Sequence, residues 1–100
     1  MLFICFVKYT NMVNIDIKKL KNIFAALNNE KRIQIINLCT DKSMTITDLS
    51  KKLNLNYSIT VEYTSMLEKV NLITKERNDD RTVSVKSLIK IKDSGEIVRV

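Results

Sequence analysis

This chain of 100 residues has no proline and a single glycine, Gly95. Those two residues punctuate a fold, one by fixing φ, the other by admitting positive φ at tight turns. A sequence almost without them is ill suited to a turn-rich β-barrel. It suits helices whose connections are made by Asn, Asp and Ser. The length gives room for one domain, 1–100, with a real core and no need of staples. Apolar residues at 45% and charged residues at 28% strike the balance of a globular chain.

From Asp16 the apolar positions Ile17, Leu20, Ile23, Phe24 and Leu27 recur at intervals of three and four, which predicts a helix. Asp16 or Asn14 caps it. Asn28-Asn29 interrupts the stripe, and Asn29 caps a second helix from Glu30 to about Thr40. That helix carries Ile33, Ile35, Ile36, Leu38 and Cys39 on more than one face, as a central core helix should. Asp41-Lys42-Ser43 ends it, and Met44-Thr45-Ile46 suits a brief strand. Thr47 then caps a third helix, Asp48 to about Asn54, with Asp48 at its positive end and Lys51 and Lys52 pointing outward. Leu55-Asn56 leads at once into a fourth helix, Tyr57 to Val70, capped by Asn56 or Ser58. Two helices joined so closely form a helix-turn-helix, here 47–70.

In the fourth helix Ile59, Tyr63, Met66, Leu67 and Val70 are spaced as one buried face. The other face offers Tyr57, Ser58, Val61, Glu62, Ser65 and Lys69. After Asn71, Leu72 to Arg77 alternates as a strand, Asn78-Asp79-Asp80 turns, and Arg81 to Lys86 alternates again. This hairpin, 72–86, is flanked at its loop by Arg77 and Arg81, with Lys75 and Lys86 nearby. In the tail, 87–100, Leu88-Ile89-Lys90-Ile91 prolongs the strand, or Asp93 or Ser94 opens a short final helix. The fold class expected is mainly α with a small β-hairpin, a winged helix-turn-helix with an N-terminal strand or arm over 1–13. The apolar opening Met1–Val7 is too short for a bilayer, which needs about 20 apolar residues, and lacks a signal peptide's basic leader. It is a strand, an arm packed on a partner subunit, or a stretch upstream of a true start at Met12.

Seventeen basic side chains against eleven acidic ones leave a net charge of +6. That excess suits a polyanionic partner, since Lys and Arg gain affinity by releasing counterions from phosphates, though it also fits a merely basic soluble protein. There is no histidine, and Cys5 and Cys39 stand far apart. A zinc site and a disulfide framework are therefore not expected, nor is any cofactor. Without histidine, a glycine-rich phosphate loop or a cluster of acids, nothing resembles an active site, and no enzyme is expected. Cys39 suits a small core position.

Two runs in this order resemble the ArsR-like winged-helix regulators. Phe24-Ala25-Ala26-Leu27-Asn28-Asn29-Glu30-Lys31-Arg32-Ile33-Gln34-Ile35-Ile36 looks like the family's "lFkALsdptRlrIl". Ile46-Thr47-Asp48-Leu49-Ser50-Lys51-Lys52-Leu53-Asn54-Leu55, with Leu67-Glu68-Lys69-Val70-Asn71-Leu72-Ile73, is similar to "sVseLaerLgLs…vLreaGLv". The likeness spans about Asp16 to Lys86. It implies a homodimeric, sequence-specific regulator of transcription that binds double-stranded DNA in the cytoplasm of a prokaryote, or in a host cell if viral.

By position, the resemblance implies that Tyr57, Ser58, Val61, Glu62 and Ser65 face the bases. Lys51, Lys52, Lys69, Lys75, Arg77 and Arg81 would meet phosphates or carry the wing. Metal sensing through paired cysteines on the third helix is not expected, since Thr47-Asp48-Leu49-Ser50-Lys51-Lys52 holds no thiol. Thr60 and Thr64 stand where the family usually has branched apolar residues. Asn54 and Asn71 replace its usual glycines and tolerate the same left-handed turn. The alternative function is a winged-helix module for protein–protein assembly, and a third is RNA binding through the same basic face.

Overall fold

The computed structural model describes residues 16–100, so the expected arm over 1–13, Met12 and Asn14 lie outside it. Helix α1 spans Ile17–Leu27, capped by Asp16, whose Oδ1 accepts from the amides of Lys18 and Lys19 at 3.0 and 3.3 Å. Helix α2 spans Glu30–Cys39, and the Asn29 side chain accepts from the Arg32 amide at 3.2 Å. Each cap satisfies amides that have no partner inside the helix. Strand β1 is Met44–Thr45, helix α3 Ile46–Leu53 and helix α4 Tyr57–Lys69.

The third helix starts two residues before the expected Asp48. Thr45, not Thr47, is its cap, accepting from the Asp48 amide at 3.1 Å. The earlier start puts Ile46 into the core at 3% exposure, and Asp48 still sits in the positive first turn. Asn54 ends α3 at φ 55°, the left-handed conformation that its short side chain tolerates, and Asn71 does the same after α4 at φ 63°. Asn56 caps α4, accepting from the Ile59 amide at 2.8 Å.

Strands β2, Ile73–Arg77, and β3, Val83–Ser87, pair antiparallel with Lys75 opposite Val85 and Arg77 opposite Val83. Strand β1 adds to the far edge of β3, with Met44 opposite Val85, giving the order β1-β3-β2. The tail holds no helix. Strands β4, Ile89–Ile91, and β5, Ile97–Arg99, form a second antiparallel hairpin. Its turn places Gly95 at φ 91°, so the chain's one glycine sits where a side chain would be strained. That turn consumes Asp93 and Ser94, the residues expected to open a helix.

Ile35, Ile36, Leu49, Leu67, Ile73 and Val85 are fully buried and draw α2, α3, α4 and the sheet onto one core. The central place expected for the second helix holds. Two other helical faces differ from expectation. On α1 the apolar stripe is split: Ile23 and Leu27 pack on the core, while Ile17 and Phe24 are 72% and 60% exposed.

On α4 the buried line is Thr60, Thr64 and Leu67. Ile59 and Tyr63 are only half-buried, and Met66 is 40% exposed. The helix is therefore rolled towards its threonines. Their hydroxyls are satisfied locally, Thr60 Oγ1 donating to the Asn56 carbonyl at 3.0 Å and Thr64 Oγ1 to that of Thr60 at 2.9 Å. Ser50 of α3 lies 3.0 Å from Thr60 Oγ1 across the seam. A threonine bonded to its own helix packs much like valine and leaves no orphan donor.

Candidate nucleic-acid interface

The roll of α4 settles which side chains face out. Ser58, Glu62, Ser65 and Lys69, spaced four, three and four apart, are all exposed on one side of the helix. Tyr57, in the first turn, is 53% exposed. Val61 is half-buried and packs on the core, a place that the reading of it as simply outward did not foresee.

The hairpin stands beside this helix. Tyr57 and Val61, with Ile46 and Val83, line a cleft of about 500 Å³ whose other walls are Lys75, Arg77 and Arg81. Lys75 reaches back to α4, its Nζ donating to Ser65 Oγ at 2.8 Å. One of the expected base-facing residues is thus tied to one of the expected phosphate-facing ones. Lys51 and Lys52 lie exposed in the last turn of α3, where a cation favours the helix's negative end.

Among the described residues the one ion pair is Lys92–Glu96, at 3.6 Å. None of Lys51, Lys52, Lys69, Lys75, Arg77 and Arg81 has a carboxylate within salt-bridge distance there. None of them is neutralised by an acid there, although Lys75 is bonded to Ser65.

The tip of the hairpin is a closed turn. The Asn78 amide donates to the Thr82 carbonyl at 2.8 Å and the Arg81 amide to the Asn78 carbonyl at 3.1 Å. Asp80 Oδ1 accepts from the Thr82 amide at 3.1 Å and from its hydroxyl at 2.6 Å, which holds the carboxyl below the usual carboxylate range. That acid is engaged within the turn, while Asp79 is exposed. Arg81 pays for this closure with φ 71°, a conformation that costs a non-glycine residue about 1–2 kcal/mol. Strain of this kind gathers where a side chain has work to do.

The residue pattern does not mark the Ser50–Thr60 contact, and it marks Arg32 only indirectly. The sign for Arg32 was its spacing: it precedes Ile35, Ile36 and Cys39 by three, four and seven residues, so it shares their face. Cys39 is fully buried and its thiol is pushed up to about 11 by burial, which leaves a packing group rather than a nucleophile. Among the described residues no cluster of three His, Cys, Asp or Glu side chains is placed to hold a metal ion. No helix there is long and apolar enough to cross a membrane.

Residues 29–75 match the model of the bacterial regulatory protein arsR family. Among solved structures, NolR from Sinorhizobium fredii is 25% identical over 77% of this chain and 73% of its own, with a TM-score of 0.65. Reduced HlyU from Vibrio cholerae N16961 is 24% identical over 70% of this chain and 73% of its own, with a TM-score of 0.64. The homodimeric winged helix-turn-helix DNA-binding domain of a possible ArsR-family regulator from Mycobacterium bovis is 17% identical, with a TM-score of 0.66 over 71% of this chain and 65% of that one. The fold is accordingly the winged helix-turn-helix. No curated protein matches by sequence.

Proposed function

We propose that this chain, an ArsR-like winged helix-turn-helix protein of the transcription-regulator type, binds double-stranded DNA sequence-specifically as a homodimer in the cytoplasm. The observation that carries the reading is the exposed polar side of α4 standing beside a hairpin whose Lys75, Arg77 and Arg81 have no carboxylate partner among the described residues.

In this reading α4 enters the major groove. Ser58 and Glu62 take hydrogen bonds from base edges, with Glu62 accepting from a cytosine amino group. Ser65 stands next to them, and Tyr57 and Val61 close the side towards the wing, where Val61 offers a methyl surface to thymine. Lys51, Lys52, Lys69, Lys75, Arg77 and Arg81 supply the sequence-independent attraction to phosphate. The resemblance to a homodimeric domain supports the dimer, as does the exposure, among the described residues, of Ile17 and Phe24 of α1 and of Ile97 and Val100 of the tail. A two-fold axis would set the two α4 helices in successive major grooves, roughly 34–36 Å apart on a pseudo-palindrome.

The test is selection of bound duplexes from a random pool, repeated with variants. Ser58→Ala and Glu62→Ala should change the selected sequence, whereas Arg77→Ala should weaken binding to every sequence alike. If all three weaken binding uniformly, α4 is not reading bases. A pool from which nothing is enriched would favour a protein–protein assembly role instead.

A further inference from the structure

We infer that Arg32 is a positioning residue that sets the angle of α4 against α1, and so fixes how far apart two α4 helices stand in a dimer. The inference rests on the DNA-binding reading above, but part of it is testable without DNA.

Arg32 is 8% exposed and is the one charged side chain buried among the described residues. Its partners are not acids. Nε donates to the Ala26 carbonyl at 2.6 Å and Nη2 to the Ala25 carbonyl at 3.2 Å. Both carbonyls lie in the last turn of α1, where a helix runs out of its own amides and carries negative partial charge. On its other side the guanidinium carbon stands 5.1 Å from the centre of the Tyr63 ring, and Nη1 lies 3.6 Å from Met66 Sδ. Tyr63 and Met66 are three apart on α4. One planar group rooted in α2 is thereby held between the end of α1 and the middle of the helix proposed to read DNA.

Stability alone is a poor reason for such a group. An unpaired buried ion is costly, and an apolar side chain of similar volume often serves as well or better. What an apolar side chain lacks is direction. Ridges-into-grooves packing by itself fixes a crossing angle only to within roughly 15–20° of its preferred class. A guanidinium fork that must meet two carbonyls and one ring face admits a much narrower seat. Ala25 and Ala26 directly follow Phe24, whose 60% exposed ring lies on the side of α1 assigned above to the second copy. A shift at that contact reaches Arg32 through the next two residues, and α4 through Arg32.

The experiment compares the full chain with Arg32→Met and Tyr63→Leu, at a temperature where each is folded. Residual dipolar couplings of the α1 and α4 amides give the angle between the helices. Both variants should change that angle or average the α4 couplings towards smaller values. The second readout is binding to palindromes whose half-sites are moved apart one base pair at a time. The unaltered chain should prefer one spacing by about tenfold or more, and the variants should lose most of that preference. Unchanged couplings in both variants would overturn the positioning role, and changed couplings with unchanged spacing preference would overturn its link to the dimer. Should Arg32→Met fail to fold, Tyr63→Leu decides alone, since it leaves the carbonyl bonds in place. Should the unaltered chain bind no DNA, the functional reading falls, and the couplings still decide whether Arg32 holds the angle.

Discussion

In α3 and α4 the inward faces include hydroxyls, Ser50, Thr60 and Thr64, and the outward faces carry Lys51, Lys52, Ser58, Glu62, Ser65 and Lys69. In α1 and the terminal hairpin the inward positions are apolar, and large apolar groups also stand outside, among exposed charges such as Lys18, Lys19, Lys21, Lys90 and Arg99. There the outward faces present Ile17, Phe24, Ile97 and Val100, at 72, 60, 48 and 61% exposure. Large apolar groups left in water, such as Phe24, are candidates for a surface that a partner covers. A free cationic face marks the opposite case, a surface meant to meet phosphate. The two regions thus differ in what they expose, a largely polar and cationic set on α3 and α4 and a share of large apolar groups on α1 and the terminal hairpin.

If the two regions differ as described, substitutions in each should be read out by different measurements. The largest effect belongs to the shared core. Leu67→Ala, at a fully buried position on α4, should cost about 2–5 kcal/mol in urea unfolding, at any protein concentration. Phe24→Glu should leave the folding of each protomer within about 0.5 kcal/mol yet shift sedimentation towards monomer. With it, affinity for a two-half-site duplex should fall by about tenfold or more, since the second half-site no longer binds in the same event. An unchanged sedimentation coefficient would remove α1 from the interface.

A smaller and two-sided effect is expected on the wing. Arg81→Gly relieves the φ of 71° and should raise stability by up to about 1 kcal/mol, reduced by the extra freedom of glycine in the unfolded chain. The same change should weaken DNA binding and make its salt slope shallower by about one. A variant that is more stable and equally tight on DNA would show that Arg81 does not touch phosphate.

The smallest effect concerns Cys39. Its thiol stays protonated in the folded chain up to about pH 11, whereas an unfolded one ionises near its ordinary value of 9.0. The folded state therefore holds more protons between those values, and stability should decline as pH rises above 9. Below that range the thiol should contribute no slope, and it should react with a thiol reagent only as fast as the core opens.

Much of the frame was legible in the residues. Asp16, Asn29 and Asn56 cap the helices as their side chains suggest, and Asn54 and Asn71 turn the chain where a left-handed residue is needed. Where the structure departs from the residue pattern, the deciding factor is a partner or a chain path that polarity and spacing do not reveal. Thr45 and Thr47 carry the same hydroxyl, and only the path of the chain out of β1 makes Thr45 the cap. Thr60 and Thr64 belong to neither face expected of α4, and a threonine that bonds its own helix behaves as a core residue. Leaving these two out of the buried face displaces it towards Ile59 and Met66, and with it the placing of Val61. On α1 a stripe of apolar residues could not say which part of it packs inside the protomer. The partners of Arg32 are backbone carbonyls and a ring, which no spacing of acids announces.

The most direct test of the central claim is a titration of duplex DNA at several salt concentrations, run on the unaltered chain and on a variant with both Arg77 and Arg81 changed to Ala. Binding should weaken steeply and linearly in the logarithm of salt, and the double variant should flatten that slope by about two. Flat, negligible binding at low salt, or a slope that the double variant leaves unchanged, would contradict it.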